Sequence, residues 1–430
     1  MTRAAEAALL ISAAGLAGFG VALVNFAEGG TLDAQTALTF LVFLLAFGGL
    51  SAAIRQWASG SVPYLLPLAA TLTAVGFVEV YRLDRQLAAL QRWWLLLAAG
   101  VGVTVLWALR SVGLEPLRRY RYVLLLGAVA LLMLPLLPSS GPFPFKGLEV
   151  NGSRLWVRWD LGFQIQFQPG EIAKLLLVAF LASYLAERQA ALSAWTRRVG
   201  GARVPEPRQL VPVALAWVAS FAVLVYQRDL GASMLLFAAF IVMLFMATGR
   251  KTYLAGGVAL FLAGVAGAWT QFAHVQRRVE AWVDPFADFE GAGYQIAQGL
   301  FAMGTGSLSG SGLGLGRPDL IPAAATDFVF AAIAEELGLA GSIVIITAFG
   351  LLTAVGFGIA VRARDLFRKL LASGLSFVFG FQAILILAGV TRLMPVTGIA
   401  LPFMSYGGSS LVSNVLLVVL LAMVSHEERT

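Results

Sequence analysis

Residues 291–341 read GAGYQIAQGLFAMGTGSLSGSGLGLGRPDLIPAAATDFVFAAIAEELGLAG, and the rest of the chain is organised around them. A long polar, glycine-rich segment runs into a helix expected to open at an acid, Asp327, while nearly everything on either side is apolar span and short loop. An acid beside hydrocarbon is expensive and needs a physical reason. The surrounding composition is 59% hydrophobic and 12% charged, against roughly 25% charged residues in soluble domains. That balance marks a polytopic membrane protein, and one bundle of spans absorbs all 430 residues. With no cysteine, disulfides and thiolate chemistry are excluded. His274 and His426 are the only histidines, which leaves little for a histidine-built zinc site or a Ser-His-Asp triad. Chemistry therefore rests on carboxylates, Lys and Arg, hydroxyls and backbone. The net charge of +7 is ordinary for a protein facing anionic lipid and is not read as nucleic-acid binding.

Apolar windows predict an all-α polytopic membrane protein of about twelve transmembrane helices. They fall near 7–27, 36–54, 63–80, 93–109, 122–138, 171–187, 209–226, 230–248, 252–271, 340–361, 370–390 and 407–425, and 327–338 is a shorter helix leading into the tenth. The first apolar run has no clear cleavage site after it and reads as a retained span. An even number of spans puts both termini on one side. With the termini inside, 18 Lys and Arg fall in inside segments and 11 in the longer outside ones, as the positive-inside rule expects. The two longest outside segments are then about 139–170 and 272–326. Neither a soluble domain nor a solenoid repeat is visible. Gln227, Arg228 and Asp229 alone separate spans seven and eight, so this charged turn reads as an interfacial salt bridge with a helix cap or as part of a wet cavity.

Candidate site residues cluster toward the outside. Arg154, Arg158, Trp156 and Trp159 suit a headgroup-level surface, with arginine able to hold phosphate bidentately; an aromatic belt explains them equally. In Gln168-Pro169-Gly170-Glu171, proline starts a helix and Glu171 falls in its first turn, with Lys174 on the same face. Structural pairing and a substrate-cavity role are both open for this pair, the cavity role slightly ahead because it tops a helix below a long outer loop. The GTGSLSGSGLGLG run lacks the preceding strand and the GK[ST] ending of a nucleotide loop. It reads better as flexible backbone able to approach a ligand, or as plain linker. Arg277, Arg278 and Arg317 offer cations to an anionic substrate. Thr326 is read as the N-cap and Gly338 as the stop of the helix opening at Asp327. There Asp327 either takes a proton from a hydroxyl or merely complements the dipole, and the local pattern favours neither. Glu335 and Glu336, unfavourable at a helix end, hint at a buried partner or a cavity. Pro395, Pro402, Gly407 and Gly408 break the chain between the last two spans, where Ser405, Tyr406, Ser409 and Ser410 supply neutral donors or simply pack.

Taken together, GSRLWV, FQPGEIAK, QRDLG, GAGYQIAQ, GSGLGLG, TDFVFAAIAEELGLAG and MPVTGIALPFMSYGGSS resemble the SEDS family of RodA/FtsW-type proteins of bacterial shape, elongation, division and sporulation. The pieces occur in family order from about residue 63 to the end. Residues 1–60 would then be a two-helix extension, as in the longer actinobacterial-type members, on a ten-span core of residues 61–430. The resemblance implies a polymerase of lipid II, the undecaprenyl-diphosphate disaccharide-pentapeptide, on the outer face of the bacterial cytoplasmic membrane. It implies a class B penicillin-binding protein as the crosslinking partner. By the TDF motif the family's essential acid maps to Asp327, and its cavity Glu and Lys map to Glu171 and Lys174. Asp327 would deprotonate the acceptor hydroxyl in an inverting transfer, with cationic groups on the departing diphosphate. Many relatives carry His where this chain has Ala325, Pro where it has Arg228, and Ser where it has Gly170.

Two rival classes remain at this level, a lipid II flippase and a non-catalytic membrane scaffold for the crosslinking partner. Twelve spans with charged cavity residues suit alternating access as well, whereas the notable acid and the long loops concentrate on one face. No metal-ligand cluster is visible; a Mg²⁺ or Mn²⁺ on the diphosphate is chemically reasonable.

Overall fold

Apolar runs of about twenty residues form helices because hydrocarbon offers no partner to backbone N–H and C=O groups, so each segment must satisfy its own. The structure is a computed structural model that describes residues 3–31, 33–138, 144–150, 153–160, 164–193, 197–199, 202–204, 211, 218, 227 and 229–429. In chain order its helices begin with α1 (Arg3–Ala27), α2 (Ala34–Trp57), α3 (Leu65–Leu83), α4 (Arg85–Leu109), α5 (Glu115–Arg119) and α6 (Arg121–Met133). Three strands follow, β1 (Phe145–Val150), β2 (Ser153–Asp160) and β3 (Gln164–Phe167). Next come α7 (Pro169–Ser193), a short hairpin β4 (Arg197–Val199) and β5 (Ala202–Val204), α8 (Leu230–Thr248), α9 (Lys251–Gln271), α10 (Ala273–Val283) and α11 (Tyr294–Gly306). The last three helices are α12 (Val329–Arg362), α13 (Leu366–Val390) and α14 (Gly408–Glu427).

Among the described residues ten helices are long and apolar enough to cross a membrane, and Arg121–Leu136 is a shorter apolar helix. The expected span at 209–226 lies almost wholly outside the described residues, as does Arg228. The other expected windows each fall on a helix, but the one at 122–138 is cut short: α6 ends at Met133, and a 3-10 turn through Pro135 carries it only to Leu136. The expected short helix and tenth span form one element, α12, broken where Gly338 takes φ 65° and ψ −168°. The first long loop is not bare connection but a three-stranded antiparallel sheet, ordered β1-β2-β3, with Phe145 stacked on Trp159 at 5.3 Å.

The chain divides into two compact units. The first comprises Met1–Arg110, Gly267–Val355 and Phe379–Thr430. Its core includes Phe43 and Phe77, packed edge to face at 5.4 Å. Asp33 and Asp84 start α2 and α4 by accepting the backbone N–H of Thr36 (3.2 Å) and of Gln86 and Leu87 (2.7 and 3.0 Å). Polar contacts tie α1 to α3 and α4, with Tyr81 donating to Asn25 at 3.0 Å and Glu28 pairing with Arg82 and Arg85. The second unit comprises Ser111–Ala266 and Gly356–Val378. Ala128 and Leu132 of α6 there pack on Ala173 and Leu177 of α7. Asp229 caps α8 by accepting Ala232 N–H at 2.9 Å, and Gln227 donates to the Leu132 carbonyl.

Candidate functional site

Helix α12 begins at Val329, two residues later than the sequence pattern suggests, so Asp327 lies outside its first turn. Phe328 is the entry residue: its carbonyl accepts Ala331 N–H (2.9 Å) and Ala332 N–H (3.2 Å), and its fully buried ring packs on Gly299 of α11. Thr326 does not cap the helix. Its hydroxyl turns back to the Ala323 carbonyl at 3.2 Å, closing a tight turn in which Phe328 N–H also bonds Ala323. A second segment grips this turn from the side. Tyr406 N–H donates to the Ala325 carbonyl at 2.8 Å, and Ser405 Oγ donates to the Thr326 carbonyl while accepting Leu401 N–H at 2.9 Å. Asp327 is thus presented by a turn held at both neighbours rather than by a helix dipole.

The cation facing this acid is Arg278. It projects from α10 and donates to the carbonyls of Val396 (3.3 Å) and Thr397 (3.0 Å). Gly398, with φ +73°, sits between the two charges. A Cβ there would lie 3.5 Å from Arg278 Nη2 and 3.9 Å from Asp327 Oδ2, so the left-handed backbone fits best without a side chain. Burial pushes the Asp327 carboxyl up, while Arg278 and the Thr326 hydroxyl pull it back, leaving it at about 6. A half-buried carboxylate with that pKa is ionised at neutral pH and basic enough to accept a proton, which is what general-base chemistry asks.

The remaining expected residues divide. Arg277, on the same helix as Arg278, is exposed. Arg317 is exposed as well and forks onto Asp319 at 3.2 and 3.3 Å, so its guanidinium is taken up by its own neighbour. Ser405 serves the backbone of the Asp327 turn, and Ser409 is buried in the first turn of α14. In the second unit Lys174 Nζ donates to Glu171 Oε2 at 2.7 Å and both side chains are buried, as their shared face requires. Arg154, exposed on β2, donates to Glu149 at 3.2 Å, and half-buried Trp156 pairs across the strands with Leu148.

The glycine-rich loop is not a free linker. It is pinned on the two acids that looked out of place at the end of the expected short helix. Glu336 Oε2 accepts Gly314 N–H at 2.8 Å, Glu335 Oε1 accepts Arg317 N–H at 2.9 Å, and their carbonyls accept Gly312 and Ser311 N–H at 3.0 and 2.9 Å. Gly310, Gly312 and Gly314 all take positive φ to make this wrap. Arg82 of α3 completes it, with Nε 3.3 Å from Glu336 Oε1 and a bond to the Gly316 carbonyl at 3.2 Å. Sequence reasoning ranked Arg278 no higher than Arg277 and did not single out Arg82 or Arg392. The one available signal was that buried acids need donors nearby. Among the described residues no three His, Asp or Glu side chains converge as metal ligands.

Comparison with known proteins adds a second line. The family model for FtsW, RodA and SpoVE, described as "Cell cycle protein", matches residues 57–430. The peptidoglycan glycosyltransferase RodA of Mycobacterium tuberculosis is 40% identical over 399 residues, 90% of this chain and 83% of the relative. Stage V sporulation protein E of Bacillus subtilis is 34% identical over 336 residues, 78% of this chain and 86% of the relative. Among solved structures, a chain described under "Structural coordination of polymerization and crosslinking by a peptidoglycan synthase complex" superposes with a TM-score of 0.66 at 29% identity, covering 86% of this chain and 98% of that one. The rod shape determining protein RodA of Thermus thermophilus gives a TM-score of 0.59 at 27% identity, covering 86% and 98%.

Proposed function

Because this chain belongs to the FtsW/RodA/SpoVE family of bacterial multi-pass membrane proteins, we propose that it is a peptidoglycan glycosyltransferase that polymerises lipid II with Asp327 as general base. The observation that carries the assignment of Asp327 is its setting: a half-buried acid at about 6, clamped by its turn, with Arg278 beside it. The ionised carboxylate takes the proton of the acceptor sugar hydroxyl as its oxygen attacks the anomeric carbon of the donor. The bond from that carbon to the diphosphate breaks, the electron pair leaves with the diphosphate, and the α-linked donor becomes a β-1,4-linked strand. Arg278 keeps the acid ionised before transfer and balances charge around it.

Glu171 and Lys174 are retained as a substrate-cavity pair, their buried 2.7 Å contact fitting a cation held ready for an anionic headgroup. We read Arg154 and Trp156 as headgroup-level contacts, Arg277 and Arg317 as cations offered to the anionic substrate, and Ser405 and Ser409 as supports of the broken segment before α14. The Lys and Arg distribution supports cytoplasmic termini with Asp327 on the outer face. A class B penicillin-binding protein is the partner that fits a family with a relative in a synthase complex joining polymerization to crosslinking. A Mg²⁺ or Mn²⁺ would arrive with the diphosphate, where chelation of the assay mixture tests its need.

The deciding assay gives the purified full chain, with its partner, lipid II in detergent, where flipping between leaflets has no meaning. Glycan polymer that disappears in Asp327→Ala while the fold persists is the expected result. No polymer with a verified partner present would sink the enzyme reading in favour of a flippase or scaffold.

A further inference from the structure

Arg392 stands two residues past the C-terminal end of α13, in a closing turn where Leu393 N–H and Met394 N–H return to the Ala388 carbonyl at 2.7 and 3.0 Å. Its φ is +60°, the left-handed region where glycine is the usual helix terminator and a side chain is strained. A strained arginine at that position asks for compensation, and its guanidinium shows one. Nε donates to the Trp282 carbonyl at 2.9 Å and Nη2 to the Val283 carbonyl, while Trp282 Nε1 donates back to the Arg392 carbonyl at 3.1 Å. Trp282 and Val283 are the last two residues of α10, whose terminal carbonyls have no partner within their own helix.

Trp282 lies four residues after Arg278, so the two side chains share one face of α10. The segment after Arg392 then meets that face again, through the Val396 and Thr397 carbonyls that accept Arg278. An eleven-residue helix is thereby held at two points along one face, at its end by Arg392 and one turn back through Arg278. Held at one point it could rotate or slide; held at two, its orientation is fixed. Gly398, the next residue of the same segment, borders both Arg278 and Asp327.

We propose that Arg392 is a positioning residue for Asp327: by gripping the end of α10 it fixes how closely Arg278 stands to the acid. This rests on the reading of Asp327 as the base, but it can be tested without turnover. Arg278 is the charged group that acts on Asp327, and the Thr326 hydroxyl also faces it. On the elements that hold its turn, Ser405 donates to the Thr326 carbonyl, Tyr406 N–H to the Ala325 carbonyl at 2.8 Å, and neutral Gln295 of α11 to the Pro322 carbonyl at 2.9 Å.

The experiment labels the purified full chain with a hydrophobic carbodiimide, which modifies protonated carboxyl groups, and reads labelling at Asp327 by mass spectrometry across pH. Wild type is expected to reach half-labelling near pH 6, following the value of about 6 for Asp327. Arg392→Gly relaxes the left-handed turn, so the protein stays folded by thermal unfolding. The half-labelling pH nevertheless rises, giving roughly threefold more label at a fixed pH above it. Arg278→Ala moves the same way, and Arg392→Lys, with a single ammonium for two carbonyls, falls between. If Arg392→Gly titrates like wild type, the positioning role is overturned whatever the polymerisation assay gives. If instead the titration shifts as expected and Asp327→Asn still polymerises at the wild-type rate, the positioning role stands and the general-base reading fails.

Discussion

The surroundings of Asp327 set the acidity of its carboxyl. Its carboxyl is raised from the ordinary aspartate range to about 6 by burial, against the pull of Arg278 and Thr326. Polymerisation should therefore fall as pH drops through about 6 in the free enzyme, close to tenfold per pH unit below it. Arg278→Ala should move that limb to higher pH, measured as kcat/KM against pH. The same shift bears on stability with the opposite preference. Because the folded state holds the proton more tightly than the unfolded chain, the contribution of protonated Asp327 is fully present below the unfolded value near 4 and is lost as pH rises through 6. Asp327→Asn should thus melt higher than wild type at pH 7.5, converge with it below pH 4, and make no polymer. The acid was legible in the sequence as the polar outlier of its region, and the family motif singled it out. Its partner was not, since Arg277, Arg278 and Arg317 look alike in sequence. Only the packed turn shows that Arg317 is spent on Asp319 while Arg278 meets the acid.

At the scale of elements, the glycine-rich loop and α12 form one unit. Residues 310–317 wrap the end of the first segment of α12, and the buried acids Glu335 and Glu336 take up their N–H groups. Glu336→Ala would leave Gly314 N–H without its acceptor and Arg82 with only Glu28 and the Gly316 carbonyl, a loss of about 3 kcal/mol for a broken buried pair. Glu336→Gln, which keeps an acceptor, should lose less; unfolding in detergent compares the two. Gly310→Ala should also destabilise, because its φ of +82° strains any side chain and its face abuts the Glu336 and Leu337 backbone. Sequence composition reads this loop as flexible, since glycine content reports conformational freedom in the unfolded chain. It does not report which carbonyls and carboxylates will capture the freed N–H groups.

For the whole molecule, the first two helices precede the family match at residue 57, yet α1 covers buried Val78 and Tyr81 of α3 and brings Glu28 to Arg82 and Arg85. Removing residues 1–60 should expose that apolar face and take a partner from the arginine that also holds Glu336; the shortened chain should aggregate on extraction, as read by size-exclusion chromatography. The ten described helices of membrane length needed only the sequence. In hydrocarbon each backbone must satisfy itself, so a long apolar run has essentially one outcome, and the order of motifs along the chain identified the family. Tertiary structure alone decided which distant residues meet the acid. The acid at 327, its cation at 278, the turn latch at 405–406 and the clamp at 392 come from segments far apart in the chain. Contacts between distant loops leave no periodic signature, because they are fixed by how helices place the loops and not by any local preference of the residues that meet.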